Sequence, residues 1–149
     1  MKRMDRKKLR LNGFDYSTNG AYFVTLCTIN RKCILSSIRK SGNYSYPEVK
    51  LTDIGLIVKK YMNNIPRITY YVIMPNHIHL IVEKENILNS VLSNDIRSFK
   101  TLVTKEVGFQ IWQSSFYDHI IRDDYDYNVH LQYINDNPIK WCEDKYYCG

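Results

Sequence analysis

The sequence predicts an α+β fold, an antiparallel sheet carrying helices, and three observations predict it. Dense runs of β-branched and aromatic residues fall near positions 22–29, 70–82 and 116–122. Two other stretches, near 52–63 and 88–107, repeat apolar residues at helical spacing. The two kinds of segment alternate along the chain, with no internal repeat and no linker. At 149 residues one domain, spanning 1–149, is large enough to bury an ordinary core without staples.

The elements follow in order. Residues 1–12 form a basic N-terminal arm: Lys2, Arg3, Arg6, Lys7, Lys8 and Arg10 stand against the single Asp5. Such an arm either neutralises phosphates or is a solvated tail. Tyr22 to Ile29 is the first core strand, opened by Asn19-Gly20 and closed by Asn30-Arg31-Lys32. Ser36 to Lys50, with Gly42, Asn43 and Pro47, reads as a loop or short hairpin. A helix starts at Thr52, carries Ile54, Ile57, Val58 and Met62 on one face, and ends near Asn63; Thr52 or Asp53 supplies its N-cap.

Pro75-Asn76 then breaks a Tyr/Val/Ile run into two strands joined by a tight turn, so that His77 and His79 open the second. Alternation places both imidazoles on one sheet face, about 6–7 Å apart from a rise of ~3.3 Å per residue, while Ile78, Leu80 and Val82 point into a core. Such a pair either converges on a metal ion or is simply solvated or hydrogen-bonded.

From about Leu88 to Val107, Leu88, Val91, Leu92, Ile96, Phe99, Leu102, Val103 and Val107 form one helical stripe, ended by Gly108. Arg97 falls opposite that stripe and Lys100 and Lys105 flank it, giving a basic exposed surface. Phe116 to Arg122 is another strand. Asp123 or Asp124 caps a last helix from about Tyr125 to Asn137, stopped by Pro138. There Tyr133 and Asn137, four residues apart, share a face beside the apolar stripe of Tyr127, Leu131 and Ile134. Spacing alone leaves two readings of that pair, a functional one and an ordinary helix C-terminus.

The order β-α-β-β-α-β-α closes naturally as a ferredoxin-like βαββαβ sheet with two helices on one face. The His77/His79 face stays open, and the C-terminal tyrosine-bearing helix crosses it.

A formal charge of +6 favours a polyanionic partner, nucleic acid above all. No apolar stretch approaches the ~18 residues that span a bilayer, and no apolar core follows the basic arm as in a signal peptide. The expectation is a cytoplasmic protein with no membrane partner. Cys27, Cys33, Cys142 and Cys148 lack Cys-x-x-Cys spacing, so reduced thiols are expected. Thirteen tyrosines serve packing or stack on unpaired bases; composition does not separate the two.

The chain resembles the HUH superfamily of single-tyrosine transposases, and within it the REP-associated tyrosine transposases. The resemblance covers nearly the whole sequence. It rests on Leu9 to Tyr16 with Gly20 to Thr25, on Met74-Pro75-Asn76-His77-Ile78-His79, and on Ile96-Arg97-Ser98-Phe99-Lys100. Trp112-Gln113, Tyr117 to Arg122 and Tyr133-Ile134-Asn135-Asp136-Asn137-Pro138-Ile139-Lys140-Trp141 complete it. The resemblance implies that His77, His79 and Asn137 hold a divalent ion, Mg²⁺ or Mn²⁺, and that Tyr133 is the nucleophile. It further implies single-stranded or hairpin DNA as partner, a 5′-phosphotyrosine intermediate, rejoining without ATP or another small-molecule cofactor, and a nucleoid-associated bacterial enzyme. A monomer is favoured, with a helix-exchanging dimer as the alternative.

The residue chemistry agrees with those implications. A phenol ionises only near pH ~10, so it attacks at neutral pH only beside a positioned, polarised phosphate. Two imidazoles and an amide oxygen form a mixed donor set suited to Mg²⁺ or Mn²⁺, with coordination positions left open. Arg10, Arg97, Lys100 and Arg122 are candidates for DNA backbone contacts, and His119 for an accessory role toward substrate or metal, or for a structural hydrogen bond. His130 carries no motif assignment. Two rival functions share these features: a derivative that binds DNA hairpins without cutting, and a His-x-His metallohydrolase that releases free 5′-phosphate.

Overall fold

A computed structural model describes residues 20–39, 46–84 and 92–141. Among these residues the elements run β1 (Gly20–Cys27), β2 (Ser36–Arg39), β3 (Glu48–Leu51), α1 (Asp53–Met62), β4 (Ile68–Ile73), β5 (His77–Lys84), α2 (Leu92–Val107), β6 (Tyr117–Ile121) and α3 (Asp124–Asp136). The main sheet runs β4-β5-β1-β6, every neighbouring pair antiparallel. This is the ferredoxin-like order that the element sequence predicts. Between β1 and α1 the chain adds the β2–β3 hairpin, a separate two-stranded sheet.

Strand alternation divides the core in two. On one face Tyr22, Val24, Leu26, Ile78, Leu80 and Val82 pack under α1 and α2, which bury Val58 and Met62 and Leu92, Ile96, Phe99 and Val103 respectively. On the other, Ala21, Phe23, Ile81 and Ile121 lie beneath Tyr127, Leu131 and Ile134 of α3. An open cleft remains between α3 and the start of β5.

Local signals set the element ends. Thr52 caps α1 by accepting from the Gly55 N–H at 3.0 Å while its hydroxyl donates to the Ile34 and Leu35 carbonyls. Gly55 is required there: a Cβ would stand 2.0 Å from the Leu35 carbonyl oxygen. Asp123 caps α3 by accepting from the Asp126 N–H at 2.8 Å.

Two expectations need adjustment, and two others fall outside the described residues. β1 stops at Cys27, two residues early, because Thr28 leaves the ladder to bridge Trp112, and Ile29 turns into a short 3-10 segment where Asn30 and Arg31 adopt positive φ. The predicted helix start at Leu88 lies outside the described residues, which begin α2 at Leu92, and so does the basic arm with Arg10. Cys33 is disulfide-bonded, so the expected reduced state does not hold for it, whereas Cys27 is a free thiol.

Candidate active site

The β4–β5 turn sets the geometry of the histidines. Met74 N–H donates to the His77 carbonyl, the Pro75 carbonyl accepts from Leu35 N–H, and the Asn76 carbonyl accepts from the N–H and hydroxyl of Thr28. With its backbone pinned from two sides, the turn delivers His77 opposite Cys27 and His79 opposite Thr25 of β1. Both imidazoles are 4 % exposed, and their ring centroids stand 4.6 Å apart at 70°.

Hydrogen bonds assign the ring nitrogens. The Asn76 amide nitrogen donates to the Arg31 carbonyl, so its oxygen faces His77 Nδ1 at 2.7 Å; that nitrogen therefore bears the proton, and the lone pair sits on Nε2. His79 Nδ1 pairs with the Thr25 hydroxyl at 2.8 Å, and its Nε2 is a buried polar atom with no partner. An orphaned buried nitrogen is costly unless a ligand meets it. Burial, reinforced by the charges of His77 and His130, holds the His79 imidazole well below its usual pKa. It is neutral at physiological pH, the state a metal requires.

Helix α3 brings the remaining parts. Tyr133 is half exposed, its ring edge-on to His79 at 5.2 Å and to Phe23 at 6.0 Å. Asn137, 7 % exposed, donates from Nδ2 to the Tyr133 carbonyl at 2.9 Å, so its amide oxygen is the atom it could offer to an ion. His77, His79, Tyr133 and Asn137 line one open cleft of about 890 Å³, together with Phe23, Thr25, Gln113, Tyr117, His130 and the cations Arg31 and Lys140. The donor set fits a divalent ion: two imidazoles held at Nδ1, one orphaned Nε2 and an amide oxygen.

Of the expected DNA contacts among the described residues, Arg97, Lys100 and Arg122 do not line that cleft. Arg97 and Lys100 line a separate groove on α2, with Thr101, Thr104 and Lys105, that meets the cleft at Ser115 and Phe116. Lys100 donates to the Gln113 carbonyl at 2.8 Å, and burial lowers its pKa, so it ties α2 to a cleft-lining segment. Arg122 is exposed and lines neither cavity; its N–H donates to Asp126. Arg31 and Lys140 were not singled out from sequence. Lys140 lies inside the Asn137-Pro138 motif, and its spacing of three from Asn137 is the signal that could have found it.

His119 sits on β6 opposite Phe23, apart from the His77/His79 pair. Its Nε2 bonds Asp126 Oδ2 at 2.8 Å, and its ring stacks on His130 at 4.6 Å and 24°. Asp126 takes His130 Nδ1 on its other oxygen at 3.1 Å. Burial works against the charged form of Asp126, but the His119 hydrogen bond, the Arg122 N–H and both imidazoles outweigh it and hold the carboxyl below its usual pKa. The three side chains bring ligand atoms within 4.8 Å of one another, a group that sequence spacing did not reveal. It joins a strand to a helix, and Asp126 had no motif to mark it.

No protein-family model matches the chain. It is 33% identical to an uncharacterised protein of Haemophilus influenzae, over 95% of this chain and 93% of that one. A second Haemophilus influenzae protein, provisionally named as a REP-associated tyrosine transposase, is 29% identical over 85% of this chain and 74% of its own length. The REP-associated tyrosine transposase of Escherichia coli is 35% identical over 49% of this chain and 44% of its own. Among solved structures, a REP-associated tyrosine transposase bound to a REP hairpin aligns with a TM-score of 0.61 and 28% identity, covering 83% of this chain and 68% of that one.

Proposed function

The chain belongs to the REP-associated tyrosine transposases, and from that membership we propose that it cuts and rejoins single-stranded, hairpin-forming DNA through Tyr133. The observation that carries this reading is the convergence of His77, His79, Tyr133 and Asn137 on one cleft, with the tyrosine ring against the His79 ring. The hairpin held by the structural neighbour supports the same class of substrate here.

His77, His79 and Asn137 would hold Mg²⁺ or Mn²⁺, which supplies charge to polarise a phosphate oxygen and steady the departing 3′-oxygen. The chain's own residues do the rest. Thr25 and Asn76 hold the two imidazoles in register, so the ligand nitrogens need no reorganisation when substrate arrives. Arg31 and Lys140 on the cleft wall attract the scissile phosphate, and the exposed Tyr117 offers a face on which an unpaired base stacks. The Tyr133 oxygen attacks phosphorus in line, the P–O3′ bond breaks, and the products are a 5′-phosphotyrosine and a free 3′-hydroxyl. The phosphodiester-like bond is conserved, so rejoining to another 3′-hydroxyl needs no nucleotide.

Helix α3 reaches the β5 histidines of its own chain, Tyr133 lying edge-on to His79, so this reading is of a site made in cis. None of the helices among the described residues is long and apolar enough to cross a membrane. The test is to incubate the protein, Mn²⁺ and a labelled hairpin oligonucleotide built from the inverted repeat flanking the gene. A denaturing gel should show a covalent adduct with wild type and none with Tyr133→Phe. An adduct with Tyr133→Phe would remove Tyr133 from its role; tight binding with unchanged DNA would favour the non-cleaving reading.

A further inference from the structure

We infer that His130, oriented by Asp126, is the base that takes the phenol proton from Tyr133 during strand cleavage. The inference rests on the reading of Tyr133 as nucleophile and adds a residue to it. His130 Nδ1 lies 2.9 Å from the Asp126 backbone carbonyl as well as 3.1 Å from its carboxylate. A carbonyl oxygen only accepts, so Nδ1 carries the hydrogen and the lone pair of the neutral ring is on Nε2. The same bonds argue against an ion bound at that nitrogen by the His119, Asp126 and His130 group. The two rings are stacked near parallel, so their in-plane lone pairs run alongside one another and do not converge.

Three further observations support this task for His130. His130 lines the cleft, and no Asp or Glu among the described residues does. It stands one helical turn before Tyr133, and long helical side chains lean toward the N-terminus over the residues three and four positions back. Phe23 packs against the His130, Tyr133 and His79 rings, with centroids 4.7, 6.0 and 5.1 Å away, so the three rings surround one side chain, while His77 and His79 keep their Nδ1 partners. His119 completes the device by occupying the second oxygen of Asp126, so the carboxylate cannot rotate away from His130.

The proton balance is simple. The Tyr133 O–H proton passes to His130 Nε2 as the Oη–P bond forms and P–O3′ breaks; the 3′-oxygen takes a proton from water, and the imidazolium returns its own to solvent. On rejoining the flow reverses: the attacking 3′-hydroxyl loses its proton to solvent, and His130, reprotonated from solvent, gives that proton to the departing phenolate.

The test measures adduct formation by the full chain with Mn²⁺ and saturating hairpin oligonucleotide. His130→Asn keeps an N–H where Nδ1 stood and removes the base. Its adduct rate is expected to fall by about 100-fold or more, with hairpin binding unchanged. The loss should persist on a probe whose bridging 3′-oxygen is replaced by sulfur, because a thiolate leaves without a proton but the phenol still needs a base. A rate within about threefold of wild type overturns the inference, as does a parallel loss of hairpin binding, or a loss that vanishes on the sulfur probe. If a thermal melt shows His130→Asn unfolded, His130→Gln takes its place under the same criteria. Tyr133→Phe runs beside it: an adduct there overturns the nucleophile itself, whereas its absence together with full activity of the His130 variant overturns only the role of His130.

Discussion

His79 shows how one buried atom connects fold to chemistry. The fold leaves its Nε2 without a partner and holds its pKa well below the usual histidine value, through burial first and then the charges of His77 and His130. In the unfolded chain the same ring takes a proton near pH ~6.5. The unfolded state thus binds more protons below that point, and stability of the metal-free protein is lost as pH falls below it, by at most about 1.4 kcal/mol per pH unit from this group. Thermal melts between pH 7 and 5 should show the loss, and His79→Phe should flatten it. Thr25 anchors the other ring nitrogen; Thr25→Val should weaken Mn²⁺ binding by about 10-fold or more in calorimetry while leaving the fold intact. The two histidines were readable from sequence because strand alternation puts residues two apart on one face. Asp126 and its two imidazoles were not, since a strand and a helix meet there only after folding.

At the scale of elements, the tyrosine helix matters most. It is held to the sheet by Tyr127, Leu131 and Ile134, and at its C-terminal end the Tyr46 hydroxyl donates to the Asn135 carbonyl. Its N-cap is Asp123, so Asp123→Ala should cost about 1 kcal/mol in denaturant unfolding. The β2–β3 hairpin is fixed to α1 through the Leu35 carbonyl, which leaves no room for a side chain at position 55. Gly55→Ala should therefore destabilise by about 1–3 kcal/mol, an overpacking cost read in the same assay. Helix and strand identities followed from periodicity and caps. The hairpin stayed ambiguous because Gly42, Asn43 and Pro47 mark a turn without saying whether its flanks pair, and the early end of β1 depends on Trp112, eighty-odd residues away.

For the whole molecule, the ferredoxin-like order followed from the succession of elements, because alternating strands and helices allow few sheet orders. The charge distribution proved harder to place. Arg97 and Arg122 lie off the cleft, and Arg31 and Lys140 line it, a distinction that depends on which way each element faces. Hairpin affinity should fall linearly with the logarithm of salt concentration, and Arg31→Ala and Lys140→Ala should each lower that slope by about one phosphate contact's worth. The central claim is more direct than affinity: Tyr133 becomes covalently joined to the 5′ end of a cut strand. Mass spectrometry of the nuclease-trimmed adduct, after proteolysis, reads it at one residue. The account predicts a nucleotide phosphate on the peptide carrying Tyr133, located on that tyrosine, with a free 3′-hydroxyl on the released strand. A nucleotide on any other residue, or cleaved DNA bearing a free 5′-phosphate and no peptide, would contradict it.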